Sequence, residues 1–175
     1  SRRYGTRITR AEKDQPIVIE GIHGLNPQLT RGIPNSEKFR IYISPLTVLN
    51  LNDHNRIPLT DIRLIRRMAR DIRSRGRSAE QTLEQWHSVR TGEEKNIFPY
   101  QERADVMINS ALIYEAAVLK PYAERLLFGV PTDCDEYVEA KRLLKFLDYF
   151  LGYPSEDVPK NSILREFIGG SCFDV

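Results

Sequence analysis

The stretch from Asp61 to Arg77, DIRLIRRMARDIRSRGR, constrains this 175-residue chain more than any other. Ile62, Ile65, Ala69 and Ile72 recur at helical spacing, and Leu64 and Met68 widen the stripe. The period predicts a helix from about Thr60, its N-cap, to Ser74, with Gly76 free to turn the backbone at low steric cost. Arg63, Arg67 and Arg70 sit at i, i+4 and i+7 and so share a second face, while Arg75 and Arg77 flank Gly76. Such a helix docks to a core along one side and holds several permanent cations on another. Planar guanidinium forks suit phosphate oxygens better than lysine does. The plain alternative is a solvated helix whose arginines pair with Asp61, Asp71 and Glu80. Here the like charges outnumber those acids, which costs stability until an anion arrives.

Elements on either side set the class. Pro16–Ile22 (PIVIEGI) is a β-branched run between proline and glycine and reads as a buried strand. Phe39–Ser44 (FRIYIS) and Ala104–Asn109 (ADVMIN) read as two more. Ser78 can cap a helix to about Val89, with Gln81 completing a capping box. Glu93–Glu102 reads as helix broken at Pro99, and Tyr114–Leu127 and Asp135–Leu151 as longer helices. In the last of these, Tyr137, Ala140, Leu143, Leu144, Leu147 and Phe150 form an apolar stripe. A short helix within Asn161–Ile168 precedes Gly169-Gly170. Strands alternating with helices indicate an α/β fold with a mainly parallel sheet, although three strands are few for a self-contained one.

The formal net charge of +2 makes the positive field local, which argues against broad nucleic-acid binding. Cys134 and Cys172 lack metal-ligand spacing and read as free thiols of a reducing compartment, so the cytoplasm is the simplest location. No apolar run is long enough to span a bilayer. His23, His54 and His87 make no metal set, because no two share a three- or four-residue helical spacing. Asp53-His54-Asn55-Arg56 reads as a hydrogen-bonded turn.

Three segments in this order resemble the uridine kinase and phosphoribulokinase family of phosphate-binding-loop kinases. Ile17-Val18-Ile19-Glu20-Gly21-Ile22 is similar to the family strand that ends in an acid and a glycine beside the nucleotide. Arg63-Leu64, Arg66-Arg67, Arg70-Asp71 and Arg75-Gly76-Arg77 resemble its lid helix and lid, and Ala104-Asp105-Val106-Met107-Ile108 its late strand. EGIHGLNP, LNLNDHNRIP, EEKNIFPYQERADVMINSAL and ILREFIGGS resemble a bacterial branch of larger uridine-kinase-like proteins. In that branch the kinase follows domains similar to the N-terminal part of threonyl-tRNA synthetase. Residues 1–15, polar, basic and poorly periodic, read as an arm or loop; the resemblance implies the C-terminal part of a P-loop kinase domain with its lid at 16–130 and a helical extension at 131–175.

It further implies transfer of the ATP γ-phosphate, with Mg²⁺, to a sugar hydroxyl of a uridine-type nucleoside. Arg67, Arg70, Arg75 and Arg77 would close over ATP, and Arg66, turned about 100° away, would be structural or exposed. Glu20 would support Mg²⁺ or the phosphate loop, or pair with an arginine, and Gln85 would lie near phosphate or ribose. Trp86, Phe98 and Tyr100 could stack on a base or pack the core. No Gly-x-x-x-x-Gly-Lys-Ser/Thr occurs in the chain, so the upstream part of the same kinase is an expected partner, and no turnover is expected from the chain alone. Two other classes stand beside this reading: an RNA-backbone module, and a scaffold that self-associates through unpaired sheet edges.

Overall fold

A computed structural model describes residues 10–46, 50–53 and 55–173. The fold is α/β, with a small parallel sheet beside a larger helical body. Strands β1 (Ile41–Ser44) and β4 (Val106–Asn109) pair in parallel, Ile41 opposite Val106 through Ser44 opposite Asn109. Side chains lock both ends of this register. Asp105 Oδ2 accepts from the Arg40 N–H at 2.7 Å, and Asn109 exchanges 2.9 Å bonds with the Leu46 backbone in both directions. A separate antiparallel pair, β2 (Asn50–Asn52) and β3 (Asn55–Arg56), leads into the arginine helix. His54 lies outside the described residues.

The expected strand at Pro16–Ile22 does not form. The segment carries no strand pairing, with Val18 at 86% and Ile22 at 75% exposure. A β-branched run becomes a buried strand only when a neighbouring strand accepts its hydrogen bonds and a second layer covers it. The described parallel sheet stops at two strands, with Ser44 its only buried residue.

Helix α1 (Leu59–Arg75) is the spine of the body. Ile62, Leu64, Ile65, Met68 and Ala69 are each at most 4% exposed, as the stripe requires. Ile72 departs from it at 40%, because periodicity does not reveal where the covering elements end. The N-cap is Pro58 rather than Thr60, and it gives no side-chain cap bond. At the other end Gly76 takes φ 62°, the left-handed conformation expected of it.

Helix α2 (Ala79–Asn96) opens on the Ser78–Gln81 capping box and runs past Val89 to Asn96. Gly92 inside it costs only about 1 kcal/mol, and the next residue is held by an ion pair described below. The chain breaks at Ile97 (φ −120°, ψ −59°), two residues before Pro99, which sits in the first turn of α3 (Phe98–Gln101). A proline there lacks only an N–H that has no partner anyway.

Helices α4 (Glu115–Leu127) and α5 (Glu136–Leu147) pack on this frame, and α6 (Arg165–Ile168) lies against α1. Helix α5 ends four residues short of the expected Leu151, and Leu151 itself is 91% exposed. One hydrophobic cluster joins α1, α2, α4, α5 and α6, and includes Ile65, Leu119, Leu143, Leu147, Leu164 and Phe167. Pro121 interrupts α4 and cannot donate to the carbonyl of Ala117, but the Tyr153 N–H supplies the missing bond at 3.0 Å. No described helix is long and apolar enough to cross a membrane.

Candidate functional site

The C-terminal half of α1 gathers its cations around one acid. Asp71 is 0% exposed. Its Oδ2 lies 3.3 Å from Arg67 Nε, and its Oδ1 accepts from Arg75 Nη1 at 3.1 Å and lies 3.6 Å from Arg70 Nε. Positions 67, 71 and 75 are one helical turn apart, so regular geometry alone stacks Arg67 and Arg75 on either side of the carboxylate. The backbone carbonyl of Asp71 also accepts from the N–H groups of Gly76 and Arg77, which closes the turn. The same residue thus holds three guanidiniums and fixes the bend that carries the fourth.

Arg77 is held from the other side of the turn, where its Nη1 donates to Gln85 Oε1 on α2. The Ser78 cap fixes that helix start, with Gln81 N–H donating to Ser78 Oγ at 3.2 Å. Arg75 remains about half exposed, whereas Arg67 and Arg70 are part-buried. Burial is the main cause that lowers the Arg67 pKa; Asp71 opposes it, and Arg70, Arg75 and Arg77 add to it. One buried carboxylate therefore faces three guanidiniums, and a fourth, that of Arg77, lies just past the turn against Gln85.

Two further ion pairs brace this arrangement. Arg63 pairs with Glu93 of α2 and lies 5.9 Å from the Phe98 ring centroid. Arg66 points the other way and is buried, donating through Nε to Glu115 Oε2 at 2.7 Å and through Nη2 to the Ser110 carbonyl at 2.9 Å. Its guanidinium also lies 5.2 Å from the ring centroid of Phe167. Arg66 is thus the structural member of the set. At the N-terminal end of α1, Arg142 makes two 2.8 Å bonds to Asp61.

Burial pushes the carboxyl groups of Glu93 and Glu115 above the usual range, against the pull of Arg63 and Arg66 respectively. A raised folded-state pKa means that the folded protein binds the proton first as pH falls, so these groups favour folding toward acid. Relative to Glu93→Gln, the wild type should gain unfolding free energy as pH drops from its raised pKa toward the ordinary 4.5. Denaturant titrations of both proteins across that window check this. A difference that stays flat or shrinks toward acid counts against it.

Of the expected site residues, the structure brings Arg67, Arg70 and Arg75 together around Asp71 and joins Arg77 to Gln85. Glu20 does not end a buried strand. It is exposed and takes no part in the contacts just described, because the strand that would have carried it does not form. Trp86 and His87 line a cleft of about 390 Å³ with Leu83, Arg90 and Glu139, to which none of these arginines contributes. In the sequence Asp71 stands out only as one available acid among three. Its spacing of four from both Arg67 and Arg75 is the signal for its central place.

The phosphoribulokinase / uridine kinase family matches residues 7–114, more than half of the chain. The chain belongs to that family. It is also similar to a uridine kinase from Anoxybacillus flavithermus (strain DSM 21510 / WK1), 30% identical over 102 residues. That alignment covers 58% of this chain and 41% of the relative, so the chain spans less than half of the relative's length. No solved structure matches the chain. The family match contains the whole arginine cluster, Asp71 and Gln85, and ends before α4.

Proposed function

We propose that this chain is the lid-bearing part of an ATP-dependent nucleoside kinase that transfers the γ-phosphate to a sugar hydroxyl of a uridine-type substrate. The observation that carries the reading is that the four guanidiniums gathered at one turn outnumber the carboxylates that pair with them, the buried Asp71 and the part-exposed Glu166. Phosphoryl transfer needs its reactants positioned and the charge on the moving group neutralised, more than it needs covalent help. Arg75 and Arg77, on either side of Gly76, would reach the β- and γ-phosphates. Arg67 and Arg70, steadied by Asp71, would supply the field behind them and help exclude water. Gln85 would orient Arg77 and accept from the substrate. ATP supplies the phosphoryl group. Mg²⁺ would enter with the nucleotide, and Asp71, committed to guanidiniums, is not assigned to it.

The phosphate-binding loop belongs, on this reading, to an upstream part of the same protein. The test is ADP release from the parent protein that includes this loop, with Mg·ATP and a panel of nucleosides and small phosphate acceptors. Acceptor-dependent turnover is expected, with Arg75→Ala and Arg77→Ala each lowering kcat by about 100-fold or more. A folded parent protein without turnover on any acceptor would move the assignment to a binding or regulatory role.

The two-stranded sheet also bears on assembly. Ile43 at 59%, Met107 at 50% and Ile108 at 43% exposure lie on a parallel pair, an arrangement that is ordinarily covered on both faces. We expect the 175-residue chain to self-associate, seen as a weight-average mass that rises with concentration in sedimentation equilibrium. A strict monomer at high concentration refutes this.

A further inference from the structure

Residues beyond the family match reach back to the arginine helix. Arg165 pins the C-terminal segment to itself, donating from Nε to the Val158 carbonyl at 3.1 Å and from Nη2 to the Ser155 carbonyl at 3.0 Å. Phe167 is 7% exposed and packs beneath Arg66. Arg73, in the last turn of α1, donates to the backbone carbonyl of Glu166. Gly169 has φ 92°, and a Cβ there would lie 3.1 Å from Arg73 Nη1, so both the conformation and the close approach favour glycine. These contacts place the Glu166 carboxylate at the cluster, its Oε1 3.5 Å from Arg70 Nη1. Both side chains are partly exposed, at 30% for Arg70 and 43% for Glu166. Such a pair is weak and readily exchanged.

We infer that Glu166 is a built-in counter-anion of the arginine cluster, which a bound polyphosphate must displace from Arg70. The inference rests on the reading of that cluster as a polyphosphate site. A carboxylate and a phosphate cannot both neutralise Arg70 without repelling each other. The C-terminal segment therefore lowers the resting affinity of the site, and polyphosphate binding loosens the contact between α6 and α1. Arg165, Phe167 and Gly169 hold the segment without the Glu166 carboxylate, so Glu166→Gln removes the charge and keeps the scaffold.

The test is calorimetric titration of the 175-residue chain with inorganic tripolyphosphate, at low salt and again at high salt. Glu166→Gln is expected to tighten binding about three- to tenfold at low salt, with the gain shrinking as salt screens it. Glu166→Ala should move the same way, which excludes a substitute hydrogen bond from the glutamine. A merely structural role for Glu166 would loosen binding instead. Unchanged or weaker binding in both variants, while the wild type binds and Arg75→Ala does not, overturns this inference and leaves the cluster's reading intact. No binding by any of these proteins overturns both.

Discussion

Asp71→Asn is expected to lower the unfolding free energy by about 3 kcal/mol, the low end of the cost of removing one partner from a buried ionic group. The low end applies because Arg67, Arg70 and Arg75 keep between 20% and 48% of their side-chain surface in water. Without the carboxylate, Arg67 faces Arg70, Arg75 and Arg77, the neighbours that already lower its pKa. For a chain of this size the loss corresponds to a fall in Tm of roughly 6–12 °C. Millimolar tripolyphosphate should raise the Tm of the variant more than that of the wild type, because the anion replaces the missing charge. Thermal unfolding followed by circular dichroism, with and without the anion, measures both effects. A variant as stable as the wild type would show that Asp71 does not organise the cluster.

Glu115→Ala is expected to cost more, about 3–5 kcal/mol, since Arg66 would be left as a buried charge. Arg66 is 6% exposed and Glu115 2%. The pair joins α1 to the start of α4, and Arg66 also bonds the Ser110 carbonyl just past β4, so sheet and helices should loosen together. Replacing both residues, Arg66→Met with Glu115→Leu, should recover most of the loss, because an apolar pair of similar volume needs no compensating charge. Urea titrations of the single and double variants separate the two cases. A double variant no more stable than Glu115→Ala would mean that the hydrogen bond to Ser110, rather than charge balance, dominates.

Much of this was legible in local sequence. The stripe through Ile62, Ile65 and Ala69, the left-handed Gly76, the Ser78–Gln81 capping box and the strands around Ile41 and Val106 each depend on residues within a few positions of one another. The arginine cluster belongs with them, because Arg67, Asp71 and Arg75 lie one turn apart on a single helix. Local signals misplaced some ends, such as the cap at Thr60 and the break at Pro99, but the whole element that failed depends on a distant partner. Ile17, Val18 and Ile19 have strand-like composition, yet composition cannot supply the neighbouring strand that burial requires.

The same distinction separates two arginines that are adjacent in sequence. Local pattern could say only that Arg66 and Arg67 face different ways. Tertiary packing decided that Arg66 is buried against Glu115 and Phe167, both far along the chain, while Arg67 stays with the cations at the turn. Glu166 is the clearest case, since nothing near it in sequence points to Arg70. Sequence by itself determined the helix, its turn and the cations they carry, because those follow from short-range geometry. Only the tertiary structure decided which charges are buried and which carboxylate meets which arginine, because desolvation and ion pairing act between segments that the chain must first bring together.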